Sequence, residues 1–211
     1  MRERLENINW KRVPVITVGF IVINVVIFLV MEIGGTGMEM KLMRKGALLY
    51  PDTLLYREWY RLLTACFLHF GFRHVVSNMF MLAVFGERLE RLIGRAGMLV
   101  TYLFSGLGGT AASLFYHHLT DTPVISAGAS GAIYGVVGAM LAILLVRGGL
   151  IEGIGVRRML FMVAFMIYTS TIGDEVDVAA HIGGLLAGFL MGLLLVKLKR
   201  FGYNKKDITE S

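Results

Sequence analysis

Ser130, His181, His74 and Asn78 are the residues of this chain whose types and settings could do chemistry together. A serine hydroxyl within reach of an imidazole makes a nucleophile and its general base. The base takes the hydroxyl proton as the oxygen attacks a carbonyl, then returns it to the leaving amine. The oxyanion formed in between needs hydrogen-bond donors aimed at it. Ser130 opens an apolar run, so free backbone N–H groups and the positive end of a helix dipole lie beside it. His74 and Asn78 stand four residues apart and share one helix face. Both can donate from their side chains. A blander reading stands next to this one, because serine at a helix start is commonly a cap.

The elements that must position these groups follow from composition. Hydrophobic residues are 56% of the 211 and charged residues 17%, against roughly 45–50% and about 25% in ordinary domains. Mean hydropathy is +0.68. A disordered chain, a collagen and a disulfide scaffold are excluded, the last because Cys66 is the single cysteine. A soluble domain needs more surface charge than this. The net charge of +6 is spread between apolar runs and does not gather on one patch. It reads as membrane topology, with no nucleic-acid partner.

Six apolar runs are expected to span a bilayer, at residues 13–31, 74–86, 96–116, 130–146, 159–172 and 180–196. The first reads as a retained span, too long for a signal peptide and without a cleavage site. Four basic sets share one side if both termini are cytoplasmic. They are Arg2, Arg4, Lys11 and Arg12; Arg88, Arg91 and Arg95; Arg147, Arg157 and Arg158; and Lys197, Lys199, Arg200, Lys205 and Lys206. On the other side, residues 117–128 carry no Lys or Arg, and 173–179 hold Asp174, Glu175 and Asp177. The long first connection, residues 32–73, breaks the rule with Lys41, Arg44, Lys45, Arg57, Arg61 and Arg73. Its short apolar stretches point to a membrane-associated element, its charges pairing with Glu39, Asp52 and Glu58.

In that arrangement the second, fourth and sixth spans run parallel. At about 1.5 Å per residue, Ser130 lies about 25 Å above Arg147, His181 about 24 Å above Lys197 and His74 about 21 Å above Arg88. All three fall in one layer toward the outer face of a hydrocarbon core about 30 Å thick. Polar groups at such depth are costly and usually face a cavity or one another. Gly131, Gly135 and Gly138 on the fourth span, and Gly184, Gly188 and Gly192 on the sixth, give faces that allow close helix approach.

The stretch Gly128-Ala129-Ser130-Gly131-Ala132-Ile133-Tyr134-Gly135 and the stretch Ala180-His181-Ile182-Gly183-Gly184-Leu185-Leu186-Ala187-Gly188 resemble the rhomboid family of intramembrane serine proteases. His69, His74-Val75-Val76-Ser77-Asn78 and Trp59-Tyr60-Arg61 add to the resemblance, which covers about residues 12–200. It implies an all-α membrane protein, a single domain over residues 1–211 in the minimal six-helix bacterial form. It implies Ser130 as nucleophile and His181 as base, a dyad without an acid. It implies His74, Asn78 and the Ser130 backbone N–H as the oxyanion hole, with Gly128 beside it. It further implies Tyr134 packed on the His181 ring, His69 near the site and Arg61 bracing the first connection. Substrates would be transmembrane proteins entering from the bilayer, between the second and fifth helices. No metal or other cofactor is implied. The active site would lie toward the extracytoplasmic face of the cell membrane.

Other readings are weighed against these residues. Asp177, four residues before His181, could orient it as in a triad. His117 and His118 near Asp121 could hold a metal, though nothing sets the geometry. A transporter would place charges or broken helices near the midplane. A zinc protease needs H-E-x-x-H, an aspartyl protease needs two membrane-buried aspartates, and an α/β-hydrolase needs G-x-S-x-G after a strand. None of these patterns is in the sequence. Cys66 reads as structural. A non-catalytic rhomboid-like protein that binds membrane clients is the remaining alternative, and such relatives typically lack the Ser or the His.

Overall fold

The computed structural model describes residues 13–148, 150–172 and 176–198. Arg2, Arg4, Lys11, Arg12, Lys199, Arg200, Lys205, Lys206, Asp174 and Glu175, which enter the orientation argument, lie outside the described residues, as does the side chain of Glu39.

Helix α1 (Val15–Ile33) follows Pro14, where a missing N–H costs nothing. No side chain of its own caps it. Glu90, far along the chain, does so instead. Its carboxylate accepts from the Ile16 and Thr17 backbone N–H groups at 3.0 and 2.7 Å and from the Thr17 hydroxyl at 2.7 Å. A negative charge at a helix N-terminus is well placed for the dipole. Being only 4% exposed, Glu90 depends on those three donors.

The first connection is not a free coil. It folds as α2 (Gly35–Gly46), β1 (Leu48–Tyr50), α3 (Asp52–Leu55), α4 (Arg61–Thr64) and a 3-10 turn at Ala65–Phe67. Arg61 is its internal tie. The guanidinium donates to the Ala47 and Arg44 carbonyls at 2.8 and 2.7 Å, closing the end of α2, and to Glu58 at 2.7 Å. The hydrogen bond from Arg61 holds the Glu58 carboxyl below its ordinary range. The pair's contribution is thus present above the usual carboxylate pKa and fades as pH falls through the lowered value.

Next come α5 (Phe72–Met81), a π-helical turn at Leu82–Gly86, and α6 (Glu87–Thr120). The apolar run expected as the second span ends at residue 86, and the helix continues past it. Gly86 has ordinary helical backbone angles (φ −65°, ψ −42°) and the helix runs on through Arg88 and Arg91. Those charges lower hydropathy, yet arginine is a good helix former. The break falls at Gly94, where φ is 77° and ψ 173°.

Strand β2 (Val124–Ser126) precedes α7 (Ser130–Arg147), followed by α8 (Val156–Ser170) and α9 (Val178–Lys197). β1 and β2 pair antiparallel, Leu48 opposite Ser126 and Tyr50 opposite Val124. The all-α expectation therefore misses a short sheet that ties the first connection to the segment just ahead of Ser130. Three-residue strands carry too little periodicity to be read from sequence.

Among the described residues, four stretches are long and apolar enough to cross a membrane: α1, Phe72–Thr120, α7 and α9. The second has 49 residues, about 70 Å of helix and more than twice the core thickness of about 30 Å. Its Gly94 break divides it. Helix α8, at 15 residues, is about 22 Å long.

Helix α7 is the core of the bundle, buried from Gly131 to Leu144, with α6 and α9 packed against it. Glycine sets how closely α9 approaches. A Cβ at Gly184 would lie 2.0 Å from the Gly131 carbonyl oxygen, and one at Gly188 would lie 1.9 Å from that of Gly135. Backbone touches backbone along this seam, the close packing by which helices associate where no hydrophobic drive acts between them. At Gly19 on α1, by contrast, a Cβ would meet nothing within 4 Å. The same substitution should then have opposite signs at the two sites. Gly188→Ala should destabilise the fold by about 1–3 kcal/mol or more through forced separation, and Gly19→Ala should be neutral or stabilising by up to about 1 kcal/mol. Thermal unfolding in detergent measures both.

Candidate active site

Ser130 is the first residue of α7, and His181 lies in the first turn of α9. The glycine seam brings these helix starts together. The His181 Nε2 is 2.7 Å from the Ser130 Oγ. The Tyr134 ring, one turn below Ser130, stacks on the imidazole with centroids 4.2 Å apart and planes 14° from parallel. This fixes the ring plane, leaving rotation within the plane to the hydrogen bonds at its two nitrogens.

Those partners are both hydroxyls. Ser170, the last residue of α8, places its Oγ 2.8 Å from His181 Nδ1. Sequence reasoning missed this residue. The only signal for it is the polar run Thr169-Ser170-Thr171 closing an otherwise apolar helix. Asp177, the candidate third member, is turned elsewhere. One carboxylate oxygen accepts from the Ala180 N–H at 2.9 Å and caps α9; the other accepts from the Ser113 hydroxyl at 2.5 Å.

The remaining candidates surround Ser130. Gly128 adopts φ +147°, and a Cβ there would sit 2.9 Å from the His74 ring, so only glycine fits. Its N–H donates to the Ala65 carbonyl at 2.9 Å, pinning the approach to α7 onto the first connection. His69 accepts the Ala129 N–H at its Nε2, 3.4 Å away, and meets His74 edge-on at 5.1 Å. His74 in turn accepts the Phe70 N–H at Nδ1, 3.4 Å away. With Nδ1 an acceptor, a neutral His74 carries its hydrogen on Nε2, the side that faces Gly128. Asn78 is buried, and its Nδ2 has no hydrogen-bond partner among the described residues. An unpartnered buried amide is costly unless something arrives to accept from it.

Ser130, His181, His74, Asn78, Tyr134 and Ser170 all line one cavity of about 490 Å³. Cys66 lines it too, but burial pushes its thiol up to about 12, so it stays protonated and unreactive. The residues His117, His118 and Asp121 do not converge. His117 Nδ1 meets the Thr122 hydroxyl at 2.8 Å, while Asp121 accepts from Tyr50 at 3.0 Å. That hydrogen bond also raises the Tyr50 pKa above its ordinary value. Among the described residues no group of three or more His, Cys, Asp or Glu is placed to hold a metal ion. Arg61, Gly184 and Gly188 lie outside the cavity and act on it through the fold.

The family model of the Rhomboid domain matches residues 56–198. Rhomboid protease GluP of Bacillus subtilis is 30% identical over 92% of this chain and 37% of its own length. The rhomboid relative YdcA of the same species is 36% identical over 69% of this chain and 72% of its own. RHOMBOID-like protein 6, mitochondrial, of Arabidopsis thaliana is 37% identical over 76% of this chain and 51% of its own. The chain thus spans most of YdcA but about half or less of the other two. With a domain match over residues 56–198 and apolar helices able to cross a bilayer several times, the chain belongs to the rhomboid family of multi-pass membrane proteins.

Proposed function

We propose that the protein is an intramembrane serine endopeptidase that hydrolyses peptide bonds in or next to transmembrane segments of membrane-protein substrates. The observation that carries this reading is the 2.7 Å approach of His181 Nε2 to Ser130 Oγ inside a cavity that also holds an unpartnered Asn78 amide. Ser130 attacks the scissile carbonyl as its proton passes to His181 Nε2. His181 then gives that proton to the leaving amine. Water hydrolyses the acyl-enzyme by the same route. The oxyanion is met by Asn78 Nδ2, His74 Nε2 and the Ser130 backbone N–H at the start of α7. Tyr134 keeps the base in plane, while Gly128 and His69 shape the entry to α7. The dyad works without a metal or other cofactor.

The placement in the membrane belongs to the same proposal. The Gly94 break supports reading Phe72–Thr120 as two spans. With α8 as a further short span, six helices cross the bilayer and both termini are cytoplasmic. Ser130 and His181 then lie toward the extracytoplasmic face. A substrate helix hides its carbonyls in hydrogen bonds and must unwind to be cut, so Gly or Pro near the scissile bond should favour cleavage.

Purified protein in detergent, incubated with a single-span substrate, should cut near the outer membrane boundary of that substrate, and a chelator should leave the rate unchanged. Ser130→Ala and His181→Ala should each abolish the cut while remaining folded. Cleavage unchanged in either variant overturns the dyad, and labelling by a serine-directed fluorophosphonate then identifies any other nucleophile. Loss of one oxyanion donor in Asn78→Ala should lower kcat by about 10²- to 10³-fold, and an undiminished kcat would remove Asn78 from the hole. Asp177→Ala should lower the unfolding free energy by about 0.5–2 kcal/mol as a lost cap and hold kcat within about twofold. A large kcat loss there would restore the triad.

A further inference from the structure

We propose that Ser170 is the positioning residue of His181, a neutral hydroxyl standing where a triad would place a carboxylate; the inference rests on the protease reading above. The two nitrogens of the imidazole are each engaged by a hydroxyl, Ser130 at Nε2 and Ser170 at Nδ1, 2.7 and 2.8 Å away. Hydroxyls can donate or accept, so the direction must be settled by what else they touch. Ser170 Oγ is 2.9 Å from the Met166 carbonyl oxygen, which can only accept. With the single hydrogen of Ser170 placed there, its lone pairs accept from Nδ1–H. That leaves the Nε2 lone pair for the Ser130 hydrogen, the tautomer a general base requires. In the reverse arrangement Ser170 donates to Nδ1 and Nε2–H points at Ser130. The Ser130 hydrogen then has no acceptor among the described residues.

Tyr134 joins the same node. Its hydroxyl is 2.6 Å from the Met166 carbonyl and 2.5 Å from Ser170 Oγ. The residue that stacks on the imidazole face therefore also holds the residue that fixes its edge. Ser170 is 5% exposed and His181 9%, so the bond between them is buried. As Ser130 attacks, its proton moves to Nε2 and the Nδ1–H stays on Ser170. The imidazolium is held by an oriented dipole, and no second ion has to be desolvated at membrane depth. Because Ser170 ends α8, Tyr134 lies on α7 and His181 lies on α9, the node also makes the base's orientation depend on three helices being docked.

The test compares Ser170→Ala, Ser170→Cys and Ser170→Thr with the unmodified protein and Ser130→Ala. It reads kcat, KM, unfolding temperature and the rate of fluorophosphonate labelling at Ser130. Ala, and Cys as a near-isosteric weak acceptor should Ala fail to fold, should lower kcat on the order of ten- to a hundredfold with KM nearly unchanged. Labelling should slow in parallel, and Thr should recover most of the loss because it keeps the hydroxyl. A kcat undiminished in Ala or Cys overturns the proposal. So does a loss that Thr shares in full along with a lowered unfolding temperature, which would make Ser170 a packing residue. If the unmodified protein does not cut, or Ser130→Ala still does, the protease reading falls and this inference with it. Cleavage that needs Ser130 but not Ser170 removes this inference alone.

Discussion

The seam between α7 and α9 governs the rest of the molecule because it is a contact of backbone with backbone. Gly184 and Gly188 lie against the carbonyl oxygens of Gly131 and Gly135 at separations no side chain could share. In lipid the tails are as apolar as any side chain, so helices gain little from hydrophobic burial against each other and must associate by close packing and polar contact. This seam maximises close packing. It also sets the spacing of the two helix starts, which is what brings Ser130 to His181. A longer interaxial distance would leave both residues in place along the chain and out of reach of each other.

Around that seam, several buried polar groups take their partners from a distant part of the chain. Glu90 satisfies the open N-terminus of α1. Arg61 closes the end of α2 and fastens the first connection from within. The β1–β2 pair and the Gly128–Ala65 hydrogen bond join that connection to the segment leading into α7. The first connection is thereby part of the scaffold of the site, because the position of Gly128 decides where His74 and the Ser130 N–H stand relative to each other.

The site itself is ordered by stacking and by hydroxyls. One aromatic face and two hydroxyls define the plane and both edges of the His181 ring. Asp177, the nearest acid in sequence, is consumed in starting the helix that carries the histidine. Its contribution to the site is therefore structural: it sets where α9 begins, and one turn later stands His181.

Much of this was legible in the residues. The apolar runs, the glycine spacing, the shared depth of Ser130, His181 and His74, and the motifs around them determined a helical membrane bundle with a Ser–His pair at one level. Those signals are periodic or local, and periodicity survives in a linear string. What the string does not carry is the rotation of one helix about its axis against another. Ser170 could meet His181 Nδ1, or face lipid, with the same sequence pattern. Asp177 could point to His181 or to Ser113, according to where α6 passes. The β1–β2 pair likewise depends on contact between segments far apart in the chain. Hydrogen bonds are made or lost over a few tenths of an ångström, and at that scale only the packed bundle decides which side chains meet.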